Sequence, residues 1–328
     1  MPVARARALS RGRAGHHRLR VTTLAMPAGC LIAAVLPLLI GLNSFSAGLG
    51  GLVGIWMIFA AGYTVTYGFA GQFSVGHAAL LGCGAYATAV LMTRLDWPFW
   101  PTVPVAIGAG AAMGGIFALS SWRLRGDYVA LATLAAGVIV QQIMLNWTQV
   151  TGGVDGVANI PLAALGGHIL SDNDYYALLL GIALLCTAFT SYLKHSPLGL
   201  AWRAVRDDEL AAQASGMGTQ RLKALAFVVG GGLAGLAGSL FAVFNGFVSS
   251  VSFGINQSVL VIVMVLIGGP GRVWGTAVVA ALLEGLNAEL TQFSSVSLGV
   301  TGVLMLVAIG LRSGYGATIA RAGQAGRR

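Results

Sequence analysis

The stretch "VVGGGLAGLAGSLFAVFNG", residues 228–246, contains no charged side chain and is rich in glycine and alanine. It is about as long as an α-helix must be to cross a lipid bilayer, which takes about 20 apolar residues. Gly231 and Gly235 are four positions apart and Gly238 follows after three, so these glycines share one face of a helix. Small residues at this spacing let helix backbones approach closely in a membrane. The stretch therefore predicts a spanning helix that packs tightly against its neighbours.

The composition extends this prediction to the whole chain. Of its 328 residues, 56% are hydrophobic and only 9% are charged. Apolar runs of spanning length recur throughout, and no polar stretch is long enough to form a soluble domain. We therefore predict an all-α, polytopic integral membrane protein with about ten transmembrane helices, some of them interrupted or re-entrant. The predicted spans are 22–42, 49–68, 74–93, 100–122, 128–149, 175–193, 225–246, 256–267, 273–291 and 297–311.

Basic residues indicate how these helices are oriented. The net charge is +9, but the Lys and Arg residues form clusters beside the apolar runs, which is typical of membrane topology and not of nucleic-acid binding. If orientation alternates along the ten spans, nearly every cluster falls on the side of the six arginines between Arg5 and Arg20, and only Arg94 falls opposite. Because basic loops stay in the cytoplasm, we expect both termini there.

This topology divides the chain into three parts. Residues 1–21 are predicted to form a basic cytoplasmic tail, 22–312 a single transmembrane domain, and 313–328 a second basic cytoplasmic tail. Within the domain, residues 151–176 form an external loop and 194–223 a cytoplasmic one. The first apolar run is longer than the core of a secretory signal, so we interpret it as an uncleaved helix. Cys30, Cys83 and Cys186 lie inside apolar runs without paired spacing, which indicates small core residues and no disulfide or zinc site.

A second glycine-rich stretch, "GQFSVGHAALLGCGAY" at residues 71–86, carries polar side chains at a span boundary. Gly68 and Gly71 favour a break in the helix, after which Ser74 and His77 are expected on one helix face. Interrupted helices with polar residues occur where membrane proteins pass substrates. Hydrogen bonding between packed helices is the alternative. The candidate pathway residues of this stretch are Gln72, Ser74, Gly76 and His77.

Three further polar residues within the spans pose the same choice. A carboxylate inside a span is costly unless it is paired or hydrated, so Glu284 is a candidate for function. Gln141 and Gln142 are also pathway candidates, although amides in membrane helices more often join neighbouring helices. No set of residues with metal-ligand spacing, paired carboxylates or a Ser/His/Asp arrangement is evident in the sequence.

The cytoplasmic stretch "SPLGLAWRAVRDDELAAQASGMGTQRLK", residues 196–223, predicts two short helices. The first follows Pro197 and is amphipathic. Asp207 or Asp208 caps the second, and Gly216 ends it. A helix of about two turns is not stable alone in water, so another part of the structure must hold it.

The second helix has a face of small residues, Ala211, Ala212 and Ala214. Such a face is suited to a groove on a partner protein, and the alternative is a helix that lies on lipid headgroups. Glu209, Ala211, Ala212 and Gly216 resemble the Glu-Ala-Ala and Gly pattern in the cytoplasmic loop of membrane subunits of ABC importers. Here Leu210 is inserted in the pattern, and the Leu-Pro that usually follows is absent.

A wider resemblance covers residues 49–311. Five blocks occur in the order, and close to the form, seen in branched-chain amino acid ABC permeases, in particular the second of that importer's two membrane subunits. They are "GQFSVGHAALLGCGAY" (71–86), "LRGDYVALATL" (124–134), "TGGVDGVANIP" (151–161), "SPLGLAWRAVRDDELAAQASG" (196–216) and "GGPGRVWGTAVVAALLE" (268–284). The last block departs from the family, with Pro270 and Arg272 where a Gly-Thr pair is usual.

The resemblance implies a function and a set of partners. The importer has two homologous permease subunits, two cytoplasmic ATPases and an external substrate-binding protein, and this chain would be one permease in the inner membrane of a prokaryote. It would move branched-chain or other hydrophobic amino acids inward by ATP-driven alternating access. The residues expected to couple it to the ATPases are Arg206, Asp207, Asp208, Glu209, Ala211, Ala212 and Gly216.

The sequence contains no G-x-x-x-x-G-K-[ST] motif, so we expect ATP and Mg²⁺ to be used by the partner subunits, with no cofactor in this chain and no enzymatic activity of its own. Urea or short amides are alternative solutes, since similar permeases carry them. An ion-coupled secondary transporter is a further alternative, which Glu284 fits and the short docking helix does not. An intramembrane enzyme is a third, and the lack of a catalytic set in the sequence argues against it.

Overall fold

The computed structural model describes residues 44–290, apart from residues 123, 125, 166–167 and 170–171. The first and tenth predicted spans and both predicted tails lie outside the described residues. The helices are α1 Ser44–Tyr63, α2 His77–Arg94, α3 Phe99–Ser120, α4 Asp127–Asn146, α5 Thr148–Thr151, α6 Asp172–His195, α7 Pro197–Asp207, α8 Glu209–Ala214, α9 Thr219–Asn245, α10 Ile255–Gly268 and α11 Val273–Leu290. A π-helical segment, Thr64–Phe69, continues α1, and a 3₁₀-helix, Ser250–Phe253, precedes α10.

This architecture confirms a polytopic, almost entirely helical membrane protein. In the described part of the chain, six helical segments are long and apolar enough to cross a membrane, and 273–285 is a shorter apolar helix. A total of ten spans is not established. The departure from an all-α fold is a hairpin of two-residue strands, β1 Ala164–Leu165 and β2 His168–Ile169, in the loop before α6. Nearby, Val157 pairs with Val248, which fixes this loop to the one that follows α9.

Helix α9, which contains the opening stretch of the sequence, lies at the centre of the bundle against α3, α2 and α1. Its glycines bring it into backbone contact with these neighbours. A Cβ atom at Gly235 would overlap the Ala106 carbonyl oxygen in α3, and one at Gly238 would overlap the Leu81 carbonyl oxygen in α2. The prediction of tight packing along this face is confirmed, and it depends on side chains no larger than a hydrogen atom.

The predicted interruption after the first described span is present, but its details differ from the expectation. The π-helical end of α1 runs into Gly71, which has φ of 70°, and α2 begins only at His77. Ser74 therefore precedes α2, and the prediction that it shares a helix face with His77 is wrong. The reason is tertiary. The amide of Val75 donates to Thr133 Oγ1 (3.1 Å), and the amide of Ala78 donates to Ser258 Oγ (2.9 Å).

The two short helices predicted between residues 196 and 216 are confirmed. In α7, the indole of Trp202 is fully buried and donates to the Leu222 carbonyl oxygen (2.7 Å). Asp208 caps α8 by accepting hydrogen bonds from the Leu210 and Ala211 amides. Gly216 ends it with φ of 81°. The chain itself holds this short helix in place, because Lys223 in α9 forms an ion pair with Glu209 (2.7 Å).

Candidate functional site

His77, at the first position of α2, lies in an aromatic environment. Its ring is fully buried, with ring centroids 5.5 Å from Phe59 and 5.1 Å from Tyr63, both in α1. Within the described ranges, neither imidazole nitrogen has a hydrogen-bond partner. An unpaired buried polar group costs about 1–3 kcal/mol, so a residue kept in this state is a candidate for a role beyond packing.

Ser74, three residues before His77, is in a similar state. Its hydroxyl is fully buried and has no hydrogen-bond partner among residues 44–290 as far as these are described. The Tyr63 hydroxyl, at the end of α1, is likewise buried without a hydrogen-bond partner in the described ranges. Gln72, also buried, donates from its side-chain amide to the Ala70 carbonyl oxygen (3.1 Å). Ser74 and His77 are thus both buried and without hydrogen-bond partners among the described residues, although they lie on different structural elements.

Gly76 has its contacts in a different direction. A Cβ atom there would overlap the Thr133 carbonyl oxygen in α4, and a Cβ atom at Gly137 would lie 2.8 Å from Gly76 Cα. Gly76 and Gln141 line a small cavity together with Ser258. The Gln141 side chain donates to the Ser250 carbonyl oxygen (3.2 Å). Neither Ser74 nor His77 lines this cavity, so the predicted pathway residues of this stretch divide between two sides of the chain.

The other two candidates lie elsewhere. Gln142 is exposed on the outer surface of α4, where its backbone carbonyl accepts a hydrogen bond from the Asn146 side chain (2.8 Å). Glu284 in α11 is 9% exposed and lies beside the Trp56 side chain in α1. One oxygen of its carboxylate has no partner in the part of the chain that the structure describes. The structure therefore does not bring the seven predicted residues together into one lining.

The predicted docking face of α8 also requires a correction. Ala212 is only 3% exposed and faces the interior of the chain. The cause is the tether of α8 to the start of α9, where the Gln213 side chain donates to Thr219 Oγ1 (2.9 Å). The surface that α8 presents outward instead contains Ala211, Ala214 and Leu210, whose side chain is 63% exposed.

The α7–α8 segment, residues Pro197–Ala214, contacts the interruption directly, which the sequence patterns did not indicate. The Arg206 guanidinium donates from Nη1 to the Gly68 carbonyl oxygen in the π-helical segment. The Trp202 ring stacks on Phe69, with centroids 6.5 Å apart and the planes 21° from parallel. Asp207, next to Arg206, is exposed. The candidate coupling residues and the candidate pathway stretch are thus joined at one place.

An open apolar cleft lies between α2, α3 and α4. Its lining includes Tyr86, Met113, Ile143 and Trp147, with almost no polar surface. A free amino acid carries an ammonium and a carboxylate, and binding sites for such ligands need a few precisely placed polar groups. The cleft therefore fits apolar contact with lipid chains or another helix better than it fits a zwitterionic ligand.

Comparisons with known proteins identify the family of the chain. A family model described as "Branched-chain amino acid transport system / permease component" matches residues 45–309. The chain is 33% identical over 280 residues to the high-affinity branched-chain amino acid transport system permease protein LivM of Escherichia coli. This match covers 77% of the chain and 66% of that protein, slightly less than two thirds of its length.

Two other relatives are more distant or have a different description. The LivH permease protein of the same kind of system in Escherichia coli is 24% identical over 255 residues, 72% of this chain and 82% of that protein. The ribose import permease protein RbsC of Haemophilus influenzae is 30% identical over 249 residues, 71% of this chain and 73% of that protein. The comparison with solved structures gives no match. Because the family model covers most of the sequence, the chain belongs to the branched-chain amino acid transport permease family.

Proposed function

We propose that this chain is a permease subunit of an ABC importer that moves branched-chain or other hydrophobic amino acids into the cell. The observation that carries the proposal is the family match over residues 45–309, supported by the LivM relative. The chain itself hydrolyses nothing. Transport is driven by ATP and Mg²⁺ on partner ATPases, and the permease converts their motion into alternating access across the inner membrane of a prokaryote.

The proposed assembly contains a second homologous permease, two cytoplasmic ATPases and an external substrate-binding protein. Both termini and the α7–α8 segment face the cytoplasm, and the loop before α6 faces outward. The outward surface of α8 around Leu210 and Ala211 docks the ATPase. Its exposure and its lack of charge suit an apolar groove, while Asp207 and Asp208 lie beside it at the edge.

Ser74 and His77 are the pathway residues that this proposal favours. They are buried, polar and without hydrogen-bond partners in the described ranges, and they lie at an interruption of the helical chain. Irregular backbone inside a membrane is tolerated only within protein or beside water, and such places recur in transport pathways. Gly76 and Gln141 at the small cavity, Gln142 on the outer surface of α4 and Glu284 beside Trp56 are secondary candidates.

The identity of the transported solute is tested by reconstituting the complex in vesicles. We would co-express the chain with a candidate second permease and candidate ATPases from the same organism, purify the complex, and place it in vesicles with a candidate binding protein. ATP-dependent uptake of leucine, isoleucine and valine is expected, with urea and ribose as competitors; ribose is included because of the RbsC relative. Preferential uptake of urea or ribose would show that amino acids are not the main solute. Uptake driven by an ion gradient without ATP would establish a secondary transporter instead.

A further inference from the structure

The inference starts at the π-helical segment that ends the first described span. Here the Ala70 amide donates to the Val65 carbonyl oxygen (3.3 Å), the Gly71 amide to that of Tyr67 (3.1 Å) and the Gln72 amide to that of Thr66 (3.0 Å), so the hydrogen-bond spacing is irregular in the last turn. The last carbonyls of any helix lack partners within the helix and must find them elsewhere. At Gly68 that partner is the Arg206 guanidinium. Short π-helical segments are often found at functional sites, because their hydrogen bonding is readily rearranged.

Arg206 is in tight contact with this end of the helix. Gly71 has φ of 70°, and a Cβ atom there would lie 2.9 Å from Arg206 Cγ. On the other side, a Cβ atom at Gly68 would lie 2.8 Å from the Gly271 amide nitrogen, in the turn between α10 and α11. The side chain of Arg206 is exposed overall, but its stem and guanidinium lie where three segments meet, beside Gly68, Gly71 and Gly271.

The helix that carries Arg206 is firmly attached to the surface that we assign to the ATPase. Trp202 anchors α7 through its hydrogen bond to Leu222 and its stacking on Phe69. Directly after α7, Asp208 caps α8, and Glu209 is paired with Lys223. The outward face of α8 is thus joined to α7, and Arg206 is the side chain that reaches from α7 to the Gly68 carbonyl.

We propose that Arg206 transmits displacement of the α7–α8 segment to the chain interruption at residues 68–76, and so acts as a positioning residue in the transport cycle. This inference rests on the proposed function. Arginine suits the role because its guanidinium is always charged and offers several donors in a rigid fork, so that it can hold a carbonyl while the surrounding geometry changes. When α7 moves, the end of α1 and the segment carrying Ser74 and His77 move with it.

The test measures coupling in the complete reconstituted complex, as ATP hydrolysed per amino acid transported. Arg206→Gln removes the charge and shortens the side chain. We expect it to assemble with the ATPases and hydrolyse ATP at about the wild-type rate, while uptake falls about tenfold, which corresponds to the loss of one hydrogen bond to a charged group. Arg206→Lys keeps a positive donor and is expected to recover part of the uptake.

Arg203→Gln is the matched control. Arg203 lies in the same helix and donates to the Lys194 carbonyl oxygen, away from the interruption. We expect its ratio of ATP to amino acid to equal that of the wild type. Three results would overturn the inference: an unchanged ratio in Arg206→Gln, loss of the ATPases from both Arg206 variants, or the same uncoupling in Arg203→Gln. A wild-type complex without ATP-driven uptake would instead overturn the proposed function, and the inference with it.

Discussion

At the scale of single residues, the neighbouring residues Gly76 and His77 have different surroundings. Gly76 is in backbone contact with α4, where any side chain must displace the Thr133 carbonyl. His77, the next residue, has a full-sized ring in a well-packed aromatic pocket, but its nitrogens are without partners among the described residues. Packing accounts for the first residue and leaves the polarity of the second unexplained, so substitutions at the two should have different effects.

For Gly76→Leu we expect assembly and uptake to fall in equal proportion. The new side chain overpacks the contact with α4, and overpacking typically costs about 1–3 kcal/mol. Assembled complex is measured by size-exclusion chromatography, and leucine uptake is normalised to it. Gly108→Leu is the matched control, because a Cβ atom at Gly108 meets nothing within 4 Å. If uptake alone collapsed in Gly76→Leu, Gly76 would be part of the pathway.

His77→Phe, in contrast, should lower uptake without lowering assembly. The ring packing against Phe59 and Tyr63 is kept, while two buried nitrogens without described partners are removed. The free energy of unfolding should therefore stay equal or rise by about 1 kcal/mol. We expect leucine uptake per assembled complex to fall, because a polar group at the interruption is lost. Thermal unfolding in detergent and uptake in vesicles are measured on the same preparation. Unchanged uptake would assign His77 to packing alone.

At the scale of elements, the α7–α8 segment shows what local sequence signals can predict. Pro197, Asp208 and Gly216 define the two helices through backbone rules that act within a few residues, and these boundaries are confirmed. Which face of α8 is buried depends on the ion pair and hydrogen bond to α9. The alanine pattern contains no information on these contacts, and Ala212, predicted on the docking face, is buried inside the chain.

The exposure of Ala211 and the burial of Ala212 predict different effects for the same substitution. Ala211→Arg adds a long cation on the exposed face, so the permease should insert and fold normally but lose co-purifying ATPase, because a charge in an apolar interface costs several kcal/mol unless it is paired. Ala212→Arg places the same cation inside the chain and should reduce the yield of folded permease itself. Pull-down of the ATPase and the permease yield are both measured. Equal ATPase binding by Ala211→Arg and wild type would exclude docking through this face.

The chain interruption shows where sequence reasoning stops. Glycines predicted a break near residues 68–71, and the structure has one, but the start of α2 depends on hydrogen bonds that the Val75 and Ala78 amides donate to Thr133 and Ser258, far away in sequence. Arg206 and Gly68 are likewise separated by 138 positions. No local pattern contains such pairs, so the contact between the α7–α8 segment and the interruption could be found only in three dimensions.

At the scale of the whole molecule, the length of apolar runs predicts which helices cross the membrane, and basic residues predict the direction in which they cross. Glycine positions indicate which helices pack most closely together. Each predicted span between residues 49 and 290 overlaps an observed helix, and six described segments are long and apolar enough to cross a membrane, because burying about 20 apolar residues in lipid is a strong requirement that needs no tertiary information. The central place of α9 agrees with its glycine face, which meets glycines of three neighbouring helices, Gly62, Gly84 and Gly110, in backbone contact. Orientation is a property of the chain in its membrane, and it remains a prediction from charge.

That orientation is tested by labelling single cysteines from outside intact cells with a membrane-impermeant maleimide. Val154, 73% exposed in the loop before α6, should react as cysteine in intact cells. Ser215, exposed at the end of α8, should react only after the membrane is permeabilised, because its loop lies among the basic segments held in the cytoplasm. Replacement of Cys30, Cys83 and Cys186 by alanine gives the background. Reaction of Ser215→Cys in intact cells, with none at Val154→Cys, would invert the topology, and the surface around Leu210 could then no longer meet a cytoplasmic ATPase.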